Sequence, residues 1–318
     1  MRLWIAAVMS FLWLAHAGAQ SFPSKPIRLL VPFPPGGPTD QVSRLVGQKI
    51  TESTGQPVLV DNRPGGGSQI AAGALLQAPA DGYTLLIGDI GALAVNPTLY
   101  EKLSYDPQRD FVAVSRVMSS PMVLLVPVKS SANSVAQLLD LAKSQGRLSY
   151  ASQGIGTGGH LLAEMFKSAT GAPLVHVPYK GSAPAMQDLI AGQVDLLFDL
   201  MGAGLPQARG AKAKLLAVGT RERSPRAPEV PTMAEAGYPD VVMTVWFGIV
   251  AKSGTLDSLV RALNGHIVSA LNSPEVSKRL YDQGFDPSPS TPEEFGAQMR
   301  SEREKWGAVV KSSGARVD

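Results

Sequence analysis

At 318 residues, 44% of them apolar and 17% charged, the chain is too apolar to be disordered and longer than a single core usually grows, so two domains are expected. Its formal charge of +3 is spread along the chain without a basic block, which argues against nucleic acid as a partner. With no cysteine there are neither disulfides nor a lipid-attachment thiol, and stability rests on core size alone.

The chain opens MRLWIAAVMSFLWLAHAGAQ: one basic residue at Arg2, an apolar run over residues 3–14, then Ala15, Ala17 and Ala19. This pattern is that of a secretory signal ending at about residue 19, and it implies export to the periplasm. The apolar run is shorter than the roughly 20 residues a membrane-spanning helix requires.

After the signal the grammar is strand, loop, helix. IRLLVPF is an apolar strand that stops at Pro34-Pro35-Gly36-Gly37-Pro38. Thr39 or Asp40 can then cap a helix whose Val42, Leu45, Val46 and Ile50 recur at helical spacing, and Gly55 ends it. PVLVDN, the glycine loop and helix GGGSQIAAGALLQA, and the strand DGYTLLIGD follow. The pattern restarts after Pro121 with the strand MVLLVPV and the helix SVAQLLDLAKSQG. RLSYAS, HLLAEMFKSATG, LVHVPYKG, APAMQDLIAGQ, VDLLFD and KLLAVGT continue it. VVMTVWFGIV and helices near 255–271, 274–282 and 291–312 close the chain. Short, nearly continuous apolar strands alternating with helices indicate an α/β protein with parallel sheet covered on both faces. The expected division is one lobe from 20–121 and 246–318 and a second from 122–245. The chain would cross at Ser119-Ser120-Pro121 and Val245-Trp246-Phe247, with a ligand cleft between the lobes.

The heptapeptide GIGTGGH formally satisfies G-x-G-x-x-G at Gly154, Gly156 and Gly159. A dinucleotide site also needs an acidic residue about 20 positions on to hold the ribose, and residues 170–179, TGAPLVHVPY, have none. No Gly-Lys-Ser/Thr follows either, so nucleotide binding is disfavoured. The surviving physics is that glycine turns let backbone N–H groups converge at a helix N-terminus, which favours an anion. The PFPPGGPTD loop repeats the device, and two such loops facing each other suit a small carboxylate, with Thr39 and Thr157 adding hydroxyls. A tight turn with a polar cap is the plainer alternative.

Long strings of the chain resemble one family: FPSKPIRLLVPFPPGGPTD, QPVLVDNRPGGGSQIAA, NPTLYEKLSYDPQRDF, LSYASQGIGTGGHLLAEMFK, VHVPYKGSAPAMQDLIAGQVDLLFD and WFGIVAKSGT, in order from about Ser21 to Ala315. The chain is similar to the extracytoplasmic solute receptors of the tripartite tricarboxylate transporter family, also called the Bordetella uptake gene or TctC-like family. The resemblance implies a type II periplasmic-binding-protein-like fold, two α/β lobes that close on a small organic acid. It also implies delivery of that acid to membrane permease subunits by a receptor taken to be a monomer. The ligand positions it implies are Phe33, Gly36, Gly37, Thr39, Asp40, Asp89, Ala92, Gly156, Thr157, Gly158, His160, Tyr179, Gly181 and Asp199, with Lys180 as a weaker candidate. The family's strings of the form G-T-S-G-T-H-A are replaced here by Gly88-Asp89-Ile90-Gly91-Ala92-Leu93-Ala94. A carboxylate at Asp89 would repel a second acidic group of a ligand. The replacement therefore disfavours citrate-like tricarboxylates, in favour of an apolar monocarboxylate or an amino acid whose ammonium pairs with Asp89. Alternatively, Asp89 caps a neighbouring turn.

An enzyme is the rival class. After the signal only His160, His176 and His266 remain, and neither H-E-x-x-H nor G-x-S-x-G occurs. No catalytic residue, cofactor or metal site is therefore expected. A periplasmic sensor acting through a membrane kinase would share the same fold and cleft.

Overall fold

The computed structural model describes residues 22–313, so the expected signal lies outside the described residues. The first elements are β1 (Ile27–Val31), α1 (Pro38–Thr54), β2 (Val58–Asn62), α2 (Gln69–Gln77) and β3 (Thr84–Asp89). A π-helical turn over Gly91–Val95 and a single turn over Asn96–Leu99 lead towards β4 (Phe111–Pro127). Next come α3 (Val135–Gln145), β5 (Leu148–Ser152), α4 (Gly158–Thr170), β6 (Leu174–Pro178), α5 (Ser182–Ala191), β7 (Leu196–Leu200), α6 (Met201–Arg209) and β8 (Ala213–Val218). The chain ends with β9 (Thr244–Lys252), α7 (Asp257–Asn272), α8 (Pro274–Asp282), β10 (Asp286–Pro287) and α9 (Pro292–Ser313).

Local chemistry sets the element ends. α1 starts with Pro38, whose fixed φ suits the first helical position, and carries Asp40 in its first turn, where the helix field favours an acid. It ends at Gly55, which adopts φ +70° and donates its N–H to the Thr51 carbonyl at 2.8 Å.

The strands form one path, β2-β1-β3-β9-β4-β7-β5-β6, with β8 and β10 also paired to β4. β1 pairs parallel with β2 and β3, and β5 parallel with β6 and β7. These are two lobes, joined through the antiparallel strands β4 and β9. Residues Phe111 to Pro121 of β4 pair with β9, and Met122 to Pro127 pair with β7 and β8. The chain returns where Met122, Gly219 and Met243 exchange backbone bonds of 2.7–3.1 Å.

β4 differs from the sequence expectation, which began a strand only at Met122. Ser115, Arg116, Ser119 and Ser120 interrupt the apolar run of this stretch, so it carries no continuous apolar strand signal. The structure buries Ser115 and Ser120, and their hydroxyls donate to the carbonyls of Ser290 at 3.1 Å and Gly284 at 3.1 Å. α6 was also unread, because Gly202, Gly204 and Pro206 are poor helix formers. Gly202 and Gly204 are instead required by packing: added Cβ atoms would overlap the Phe285 ring and the side chain of Val123.

One core runs through the β1–β3 lobe and continues beneath the other lobe, where Leu124, Leu196 and Phe198 belong to it. Val123, Leu125 and Leu197 point to the opposite face and form a second cluster with Leu189 and Leu205, as the two-residue strand period dictates. Behind the crossing strands, Arg226 reaches from one lobe to the other. It pairs with Asp286 at 2.5 Å, donates to the Tyr281 carbonyl at 3.0 Å and lies 3.9 Å above the Tyr281 ring.

Phe285, fully buried against Gly202, is the apolar counterpart of that clasp. Phe285→Ala should destabilise the protein by about 3–5 kcal/mol, read as a lower urea unfolding midpoint. A loss below about 1 kcal/mol would show that this contact does not hold the lobes together.

Candidate functional site

Three helices begin at the junction of the lobes. α1 enters from Gly37, α4 from Thr157 and α5 from Gly181, so each start follows a strand and a glycine-bearing loop. Their first residues, with the ends of β3, β7 and β9, line a narrow chamber. Its wall includes Phe33, Gly37, Thr39, Asp89, Thr157, Gly158 and Asp199 from among the expected residues. Ser182, Gln153, Met122 and Phe247 were not expected there. The Gly181-Ser182 step was a readable signal for Ser182, since it is a third glycine before a helix. Gln153, Met122 and Phe247 carry no such local mark.

The chamber opens two ways. One mouth is bordered by Gly65 to Gln69, Asp89, Ala92, Tyr100, Gly156, Tyr179 and Lys180. The other is bordered by Gly36, Gln41, Gln187, Gln207 and Gln283. Gly36, Ala92, Gly156 and Tyr179 thus sit at the mouths. Tyr179 donates its hydroxyl to Asp188 at 2.6 Å, which orients the ring there.

Three expected residues, Asp40, His160 and Gly181, border neither the chamber nor its mouths. Gly181 packs against Pro34 across the cleft, and Asp40 and His160 hold the loops from behind. Burial raises the Asp40 carboxyl, but bonds from Arg44, the Gly36 N–H and Asn62 prevail and keep it below the ordinary carboxylate value. Its Oδ2 accepts the Gly36 N–H at 3.0 Å, and its Oδ1 accepts from Asn62 at 3.0 Å. Asn62 also donates to the Phe33 carbonyl at 2.9 Å, tying the loop to β2. His160 Nδ1 accepts the Gly156 N–H at 3.2 Å, and its ring stacks on His176, centroids 4.4 Å apart. His176 stacks in turn on Tyr150 at 4.7 Å, and its Nε2 lies 2.7 Å from the Ser152 hydroxyl. Burial holds His160 below its ordinary pKa and His176 at about 4, so both rings are neutral at pH 7 and Nδ1 can keep accepting.

Thr157 is similarly committed: its hydroxyl donates to the Gly154 carbonyl at 2.7 Å and closes the turn. What these loops present to the chamber is backbone N–H at helix starts, where the first amides have no intrahelical acceptor. No Lys, Arg or His lines the chamber. Two carboxylates do. Asp89 is 3% exposed and accepts the Ala92 N–H at 3.0 Å, so it caps the π-helical turn while still facing the chamber. Asp199 is fully buried and accepts from the Ser182 hydroxyl at 2.5 Å and the Leu200 N–H at 2.8 Å. Burial raises each to about 6, with those hydrogen bonds acting the other way.

The lobes touch across the cleft at glycines. A Cβ on Gly91 would lie 2.8 Å from the Gly156 carbonyl oxygen, and one on Gly181 would lie 2.7 Å from Pro34 Cδ. A Cβ on Gly156, at φ +82°, would meet Leu99 Cδ2 at 2.7 Å and Asn96 Oδ1 at 2.9 Å. Among the described residues no group of three or more His, Cys, Asp or Glu is arranged to hold a metal. No described helix is long and apolar enough to cross a membrane.

Comparison with known proteins bears on this cleft. Residues 42–315 match the model of the tripartite tricarboxylate transporter family receptor. Protein BugT of Bordetella pertussis is 38% identical over 305 residues, covering 95% of this chain and 94% of that one. The structure of Rpa4515 of R. palustris with adipate is 36% identical with a TM-score of 0.89, covering 92% and 98% of the two chains. That of MatC from Rhodopseudomonas palustris with bound malate is 31% identical with a TM-score of 0.86, covering 91% and 100%.

Gly156→Val should prevent the lobes from meeting and lower ligand affinity at least about 100-fold, with a near-normal melting temperature for the ligand-free protein. Thr157→Val loses one hydrogen bond and should weaken binding about 2- to 10-fold. Titration calorimetry checks both, and unchanged affinity in the two variants would remove this loop from the binding machinery.

Proposed function

The chain belongs to the tripartite tricarboxylate transporter receptor family, and from that premise we propose that it is a periplasmic receptor that captures one small organic carboxylate between its lobes and delivers it to the membrane permease. The observation that carries this reading is the single chamber where the N-termini of α1, α4 and α5 meet. Each helix start contributes about 0.3–1 kcal/mol toward an anion when exposed and up to about 2 kcal/mol when partly buried. Micromolar binding requires about 8 kcal/mol, so hydrogen bonds from the loops and desolvation on closure must supply the remainder.

The same chamber is the basis for proposing the full set of ligand positions. Phe33, Gly37, Thr39, Asp89, Thr157, Gly158 and Asp199 form its wall, and Gly36, Ala92, Gly156, Tyr179 and Gly181 form its mouths and closing contacts. Asp40 and His160 act through the loops they hold. We place the lobe boundaries at 121/122 and 245/246, following the change of partner along β4 and the start of β9, and take the working unit to be a monomer. Known solute-binding neighbours, and a wall of loop amides and apolar side chains, favour binding over catalysis.

Phe33, Met122, Leu200, Val245 and Phe247 give the wall its apolar surface, and Asp89 and Asp199 give it negative charge. Such a chamber should disfavour citrate-like tricarboxylates. It should prefer a carboxylate with an apolar or aromatic body, or an amino acid whose ammonium meets Asp89.

A thermal-shift panel of adipate, malate, citrate, benzoate and glutamate should show stabilisation by at least one member and none by citrate. The radius of gyration in small-angle scattering should fall at saturation with that member, and an unchanged radius would rule out closure. Asp89→Asn distinguishes the two preferences by calorimetry. Loss of glutamate binding marks ammonium pairing, gain of malate binding marks repulsion, and no change in either removes Asp89 from specificity.

A further inference from the structure

The chamber presents a problem of charge. Asp89 faces it from the end of β3 and Asp199 from the end of β7, so each lobe brings one buried carboxylate to the same space. Neither makes an ion pair among the described residues. Their hydrogen-bond donors are neutral: the Ala92 N–H for Asp89, and the Ser182 hydroxyl and Leu200 N–H for Asp199.

The elements packed around them bring no compensating cation. Beside Asp89, β9 pairs Phe247 with it, and Tyr105, whose hydroxyl donates to the Ala92 carbonyl at 2.7 Å, lies close by, with Tyr100 and Tyr179 on the mouth that Asp89 also borders. Beside Asp199, β4 pairs Val123 with it, α5 supplies Ser182, and the loop before α4 supplies Gln153. On α1, the Asp40 carboxylate is already satisfied by Arg44. His160 and His176 lie behind the α4 loop, stacked on one another, with Glu164 and Lys167 as their charged neighbours. Lys180 borders the mouth that Asp89 also lines, but its side chain is exposed and it forms no ion pair with Asp89 among the described residues.

A carboxylate ligand would add a third negative charge to this space. Like charges at close quarters favour protonation of one of them, as does the loss of water on closure. We infer that a carboxylate ligand enters the chamber together with one proton from solvent, which settles on Asp89 or Asp199, so that binding is proton-linked. The inference rests on the receptor reading above. The carboxyl O–H formed replaces an O–H broken on hydronium or an O–H or N–H broken on a buffer acid, and no other covalent bond changes. Once protonated, the carboxyl group becomes a donor that can point at the ligand's carboxylate, a role the wall otherwise leaves to amides and hydroxyls. Burial has already brought both carboxyls to about 6, within reach of such a shift at neutral pH.

The test is titration calorimetry of the mature receptor with adipate, malate, benzoate and glutamate, in two buffers of different ionisation enthalpy, between about pH 6.5 and about pH 8.5. The carboxylates are ionised throughout that range and bring no proton of their own. The expected result is uptake of close to one proton per adipate, malate or benzoate bound. Affinity should fall about 3- to 10-fold per pH unit as the pH rises, because the complex holds more protons than the free receptor. Asp89→Asn or Asp199→Asn, whichever replaces the proton acceptor, should bind at high pH at least as tightly as the parent and lose the pH dependence. If neither variant folds, buffer-dependent heats of the parent protein decide the question alone. Equal heats in the two buffers with a flat affinity would overturn the inference and leave the receptor reading intact. So would binding of glutamate only, without proton uptake, since its ammonium supplies the missing charge. Failure of all four to bind would overturn the receptor reading, and the inference with it.

Discussion

The strand Phe111–Pro127 belongs to both lobes at once, and the architecture follows from how its hydrogen bonds are shared. Its first part is paired with β9 and its last with β7 and β8, so a change of angle between the lobes must be absorbed within one continuous strand. Pro121 stands at the change of partner, where a missing N–H is tolerated because one ladder ends and another begins. Ser120 anchors the same point to Gly284, and Arg226 clasps Asp286 two residues further along the same segment. The proposed closure would be confined to this line, and the loops at the helix starts are carried on the sheet.

The chamber divides its tasks between backbone and side chains. In the proposed receptor, gripping falls to amides at helix starts, whose loops are held by Asp40, Asn62, Thr157 and His160. Discrimination falls to the side chains that touch the enclosed space, which are apolar apart from two carboxylates and a few amides and hydroxyls. A guanidinium or ammonium in the wall would bind an anion more strongly, but it would also hold many anions indiscriminately. Neutral donors at fixed positions select by shape and by the number of charges a ligand brings.

Much of this was legible in the sequence. The alternation of strand and helix and the glycine loops are local patterns, and local patterns survive in a linear string, although α1 begins at Pro38 after Gly37, ahead of the cap expected at Thr39 or Asp40. What stayed hidden depends on partners far along the chain. Ser115 and Ser120 interrupt an apolar run, and their acceptors on Ser290 and Gly284 lie more than 160 positions away. Asp40 reads as a ligand-facing cap because Asn62, which claims one of its oxygens, lies on another strand. His160 reads as a binding residue because nothing nearby announces the stack with His176. α6 was missed because its glycines obey packing rather than propensity.

The glycine contacts between the lobes bear on how such a receptor can change over generations. Where Gly91 meets the Gly156 carbonyl and Gly181 meets Pro34, the lobes approach through atoms that a side chain would displace, so these positions leave almost no room for drift. Phe33, Met122 and Phe247 line the same chamber outside those contacts. Under the closure proposed above, a duplicated gene could exchange its ligand through a few wall substitutions while inheriting the closing movement unchanged, with the contacts between lobes and the pocket under separate selection.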